Sequence, residues 1–95
     1  MATLITTDGT TRDVKPDNGT DFSLDELYAL IGCQMVEVVY LPDGRTLWFD
    51  EEGKIGAGGA KPYNEGATPF ARLAGIADED YIVGTALLCA DGEVL

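Results

Sequence analysis

Phe22-Ser23-Leu24-Asp25-Glu26-Leu27-Tyr28-Ala29-Leu30-Ile31-Gly32 is the stretch around which the rest of the chain orders itself. Ser23 and Glu26 have the S-x-x-E spacing of a capping box, in which each side chain satisfies a backbone N–H that the first helical turn leaves without a partner. Phe22 before the cap and Leu27 after it have the spacing of a hydrophobic staple. Leu24, Leu27, Tyr28 and Ile31 recur at i, i+3, i+4 and i+7, which predicts one buried stripe. Asp25 and Glu26 sit in the first turn, where the helix dipole favours them, and Gly32 is placed as the stop.

Working outward, Met35 to Leu41 is β-branched and aromatic and reads as a strand. Pro42-Asp43-Gly44 turns the chain back into Arg45 to Asp50, which carries Leu47, Trp48 and Phe49. Upstream, residues 2–7 and 10–14 read as two strands around Asp8-Gly9, and Lys15-Pro16-Asp17-Asn18-Gly19 as a loop. Downstream, Thr68-Pro69 reads as an N-cap and first helical residue of a short helix closed by Gly75, with Phe70 and Leu73 as core contacts. Tyr81 to Cys89 is the last strand, and Glu93-Val94-Leu95 a tail. The order ββ-α-ββ-α-β predicts an α+β fold: a mainly antiparallel sheet of about five strands, with one main and one short helix on one side. At 95 residues the chain has room for a single domain, 1–95.

Seventeen acidic residues face six basic ones, with no histidine, for a net charge of −11. Such a field repels nucleic acid and anionic membranes, which need Lys and Arg against their phosphates, and it favours a basic partner. Simple solubility explains the same charge without a partner. No apolar run reaches the ~20 residues of a membrane span. The opening Met1-Ala2-Thr3-Leu4-Ile5 lacks the basic, apolar start of a signal peptide, so the expectation is a cytoplasmic protein.

The residue types argue against catalysis. Without histidine there is no His-based triad or base, Ser23 is the single serine and is needed as a cap, and Cys33 and Cys89 lack an activating base. An enzyme using paired carboxylates and a divalent ion is the least favoured reading. Two thiols without histidine cannot make a four-ligand zinc site, and the Asp-rich stretches lack calcium-loop spacing, so neither metal nor cofactor is expected. Asp8-Gly9, Asp43-Gly44 and Asp91-Gly92 are turns. The glycine run Gly56–Gly59 lacks the G-K-[ST] ending of a phosphate loop and reads as a flexible loop.

The acidic clusters remain: Asp21/Asp25/Glu26, Asp50/Glu51/Glu52, Asp78/Glu79/Asp80 and the pair Asp91/Glu93. Carboxylates in rows can imitate the charge spacing of DNA, about one per ~1.7 Å, and occupy a basic groove. Trp48, Tyr63 and Phe70 offer the alternative: a protein- or ligand-binding module acting through apolar contacts, with charge serving only solubility.

Val36-Glu37-Val38-Val39-Tyr40-Leu41-Pro42-Asp43-Gly44, Asp50-Glu51-Glu52-Gly53-Lys54, Asn64-Glu65-Gly66-Ala67-Thr68 and Tyr81-Ile82-Val83-Gly84-Thr85-Ala86 together resemble a small family of uncharacterised domains of phages, plasmids and other mobile elements. Asp8-Gly9 and Ile31-Gly32 fit it too, and Gly56–Gly59 departs from it. The resemblance carries over no catalytic residue. It implies an accessory protein acting in a host bacterial cell against host defence, as anti-CRISPR proteins that imitate DNA do. The partner expected is then a basic host protein or nucleoprotein complex such as a CRISPR surveillance complex, with no direct nucleic-acid or membrane contact. The partner-binding residues expected are Asp50, Glu51 and Glu52, then Asp21, Asp25 and Glu26, then Asp78, Glu79 and Asp80.

Overall fold

The computed structural model describes residues 2–53 and 61–94; the glycine run Gly56–Gly59 and Lys54 lie outside the described residues. Five strands, β1 (Ala2–Ile5), β2 (Thr11–Val14), β3 (Val36–Tyr40), β4 (Thr46–Asp50) and β5 (Ala86–Cys89), form one sheet in the order β2-β1-β5-β4-β3. Every pairing is antiparallel. Two helices, α1 (Leu24–Ile31) and the short α2 (Thr68–Leu73), complete the α+β fold.

The helices lie on opposite faces of the sheet, not on one side. Successive side chains of a strand point to opposite faces, so Leu87 and Leu88 at the centre of β5 serve different layers. Ala2, Leu4, Leu87 and Cys89 pack with Phe22, Leu27 and Ile31 of the α1 layer. Ile5, Leu47, Phe49, Ala86 and Leu88 pack with Ala67 and Ala71 of the α2 layer. Central β5 is therefore buried at every position. The apolar run of Ala86 to Cys89 carries the signature of a strand covered on both faces.

The α1 layer follows the reading of residues 22–32 closely. Ser23 Oγ accepts from the Glu26 N–H at 3.2 Å, and Glu26 Oε1 accepts from the Ser23 N–H at 3.0 Å. Gly32 ends the helix at φ 76°, a left-handed conformation that costs a residue with a Cβ. Leu27 and Ile31 are buried, whereas Leu24 is 51% exposed and Tyr28 half-buried, so the expected stripe of four narrows to two.

The α2 layer departs from expectation at three points. Thr68 is the first helical residue and not a cap; Ala67 precedes it without a side-chain cap. The Thr68 hydroxyl is already engaged, donating to Asn64 O at 2.8 Å and accepting from the Ile82 N–H at 3.1 Å. Leu73 is 62% exposed, and Ala71, with half-buried Phe70 and Ala74, makes the packing contacts instead. The last strand begins at Ala86, not Tyr81, because Gly84 at φ 73° breaks the extended run. Residues 82–84 bridge back to 62–64 instead, through Asn64 N–H to Ile82 O and Gly84 N–H to Pro62 O, both 2.8 Å. Within the expected tail, Val94 bridges Phe22 in parallel.

Candidate functional site

The ends of β3 and β4 and the connection from α2 to β5 enclose a recess of about 100 Å³. Its floor is apolar, from Phe49, Ile76 and Ile82, and Glu37, Glu51 and Asp80 stand around it. Sheet register explains the rim: Glu37 pairs with Phe49 across β3 and β4, so its carboxylate emerges beside that ring. The structure thus brings together the second and third acidic clusters, which are distant in sequence. Among the described residues, Lys61 and Arg72 sit nearby and both are hydrogen-bonded. Lys61 Nζ donates to Asp50 Oδ2 and to Gly32 O, each at 2.8 Å. Arg72 Nη2 donates to the backbone oxygens of Asp78 at 3.3 Å and Asp80 at 3.4 Å.

The nine expected partner-binding residues fare differently. Glu51, Glu52, Asp78 and Glu79 are exposed at this end. Asp80 is half-buried and accepts from the Tyr81 N–H at 2.8 Å. Asp50 has only 8% of its side chain exposed; it holds Lys61 and accepts from the Glu52 N–H at 2.9 Å, so its charge braces the β4 turn. Asp21, Asp25 and Glu26 lie at the other end of the sheet. There the start of α1 meets the C-terminal segment through Phe22 N–H to Glu93 O at 2.6 Å. Asp21 adjoins that contact, and none of the three lines the recess. Asp21 accepts from Asn18 Nδ2 at 2.7 Å. Glu26 accepts from the backbone of Ser23 and, at 2.9 Å, of Asp17, and those bonds hold its carboxyl below the ordinary range.

Glu37 is the rim residue that composition and clustering overlook, because it stands alone between valines. Its signal is the period-2 alternation of Val36-Glu37-Val38, which places it on the face opposite its neighbours.

The aromatics expected as anchors are partly structural. Trp48 is half-buried, and its Nε1 donates to Thr46 Oγ1 at 2.9 Å. Phe70 lies under the Arg45 guanidinium, 5.5 Å from its ring centre. Tyr63 is 46% exposed and its ring centre lies 5.6 Å from that of Tyr81. Both cysteines are free thiols. Burial, then the charge of Asp50, pushes the Cys33 thiol up, and burial, then Glu93, pushes Cys89 up to about 12. A thiol so shifted is a poor nucleophile at neutral pH. Among the described residues no three carboxylates or thiols are placed to hold a metal ion, and no helix is long and apolar enough to cross a membrane.

A family model matches residues 2–94, almost the whole length of the chain. The chain belongs to the DUF3846 family. DUF3846 is a domain of unknown function, so membership fixes kinship and not activity. No curated protein and no solved structure matches the chain.

Proposed function

We propose that this protein is a non-catalytic, acidic binding protein of a mobile element. It engages a basic host partner and blocks the nucleic-acid channel of a defence complex, in the manner of an anti-CRISPR protein imitating DNA. The observation that supports this reading is the acidic end of the sheet. Glu37, Glu51, Glu52, Asp78 and Glu79 are exposed there, while Lys61 and Arg72 are tied to other groups. Exposed carboxylates on one face attract a basic partner, and complementary charge speeds encounter and discriminates against acidic surfaces.

The test is capture of partners from lysate of a defence-carrying bacterial host, with the wild type and with a Glu51→Lys, Glu52→Lys, Glu79→Lys triple variant. The expected result is a DNA-binding complex that elutes at high salt, because exposed charges are screened over ~10 Å at 0.1 M, and that the triple variant does not retain. A complex held equally by both proteins, or one indifferent to salt, rejects the electrostatic reading.

A second reading rests on the Tyr63–Tyr81 pair and on Tyr40, 69% exposed beside Trp48 in a shallow groove. Exposed tyrosines are common anchors of protein interfaces. A partner lost on Tyr40→Ala or Tyr63→Ala but kept by the charge-reversed protein selects this reading.

A further inference from the structure

The two edges of the sheet differ in how they meet solvent. Leu41 N–H donates to Arg45 O at 2.9 Å, and Glu51 N–H to Met35 O at 3.0 Å. Hydrogen-bonded and non-hydrogen-bonded pairs alternate along an antiparallel ladder. Between those two anchors the register therefore turns the N–H and C=O groups of Glu37 and Val39 inward to β4 and those of Val36, Val38 and Tyr40 outward. Among the described residues no strand pairs with that outer side. Such rows of backbone groups are templates for another strand, and proteins usually defend them with charges, prolines or short length. The β2 edge is defended in this way: four residues, including exposed Arg12 and Asp13, followed by Lys15-Pro16. The β3 edge is longer and carries one charge, Glu37.

We infer that β3 is a docking edge for an extended segment of another protein whose side chains alternate basic and apolar. This goes beyond the proposed function, which uses side-chain carboxylates and no backbone pairing. The side chains decide the chemistry of the occupant. On one face the added strand lies beside Val36, Val38 and Tyr40, an apolar row. On the other it lies beside Glu37 and half-buried Val39, with Glu51 and Asp80 lining the recess that adjoins Glu37. Neighbouring strands are ~4.8 Å apart, and opposite charges in adjacent positions stabilise a sheet. A lysine or arginine is the residue that this second face accepts. A second copy of the chain fits less well, because each copy carries a net charge of −11.

The probe is an acetylated, amidated peptide of alternating lysine and valine, titrated into the intact protein. Its control is the same peptide N-methylated at the residues whose N–H would face β3, which keeps charge and side chains and removes the donors. The expected result is binding that protects the amides of Val36, Val38 and Tyr40 from hydrogen exchange, and affinity roughly tenfold or more lower for the N-methylated form. Val38→Pro removes one outward N–H and leaves the β4 ladder intact, since proline is tolerated where an edge N–H faces solvent; this variant is expected to fold and to bind the peptide poorly. Equal affinity for the two peptides overturns strand docking and leaves the charge-based reading standing. Protection of β2 instead of β3, wild-type binding by a folded Val38→Pro, no binding at all, or self-association through β3 in place of peptide capture also overturns it.

Discussion

The two faces of the sheet are closed by different means. The α1 face is held locally: a capped helix of eight residues presses Phe22, Leu27 and Ile31 onto Leu4 and Leu87, all within one apolar cluster. The α2 face has a shorter helix without a side-chain cap, and a buried polar knot takes over. Asn64, fully buried, donates through Nδ2 to Ile5 O at 3.0 Å and to Gly84 O at 2.8 Å, and its Oδ1 accepts from the Ala67 N–H at 3.0 Å. Thr68 joins the knot on its far side. One face relies on area removed from water, the other on directional bonds that cannot be replaced by bulk.

That contrast breaks most sharply at Asn64. Asn64→Leu leaves the Gly84 carbonyl and the Ala67 N–H without partners, each costing about 1–3 kcal/mol, and strips Ile5 O of its side-chain bond while its register with Ala86 in the sheet remains. The expected loss of about 2–6 kcal/mol is a large share of the ~5–15 kcal/mol that keeps a small domain folded. Urea denaturation measures it, and a loss below about 1 kcal/mol would mean that the knot is ornamental. Phe22→Ala tests the other face; truncating a fully buried phenylalanine should cost about 3–5 kcal/mol. If the contrast is right, the amides of β5 stay protected in the Phe22 variant while the α1 amides open first in hydrogen exchange.

Ser23→Ala is expected to cost about 1 kcal/mol, the usual worth of an N-cap, and to be read in the same urea experiment. The smallest effect is in pH. The folded-state pKa of Glu26 is depressed by backbone N–H groups of Ser23 and Asp17. Its contribution is therefore present above the unfolded value and disappears as pH falls through the folded one. The stability difference between wild type and Glu26→Gln should be constant near neutral pH and shrink on acidification below the ordinary glutamate range of ~4.3. A difference that persists in acid would assign the effect of Glu26 to packing.

The α1 face was legible in the sequence because its determinants are local. A capping box, a staple and a glycine stop lie within eleven consecutive residues, and the structure places each where the spacing put it. The strands were legible in number and pairing order along each hairpin, but the side of the sheet taken by α2 was not. That choice depends on Asn64 reaching Ile5 and Gly84, which no periodicity encodes. Thr68 misled for the same reason: its cap-like position beside Pro69 does not reveal that its hydroxyl is already shared between Asn64 and Ile82. The placement of the acidic residues was half legible. Composition named Glu51, Glu52, Asp78 and Glu79, yet only register could add Glu37, and only the ion pair with Lys61 could withdraw Asp50 from the surface.

The Asn64 knot also has a consequence in time. It ties Ile5 to a side chain 59 positions away, so a long loop must close before any of its bonds can form. Contacts of that kind are usually absent from the folding transition state and complete only as the native state closes. Loosening the knot should therefore leave the rate of folding nearly untouched and raise the rate of unfolding. Asn64 would then set the lifetime of the folded protein more than the speed with which it is reached.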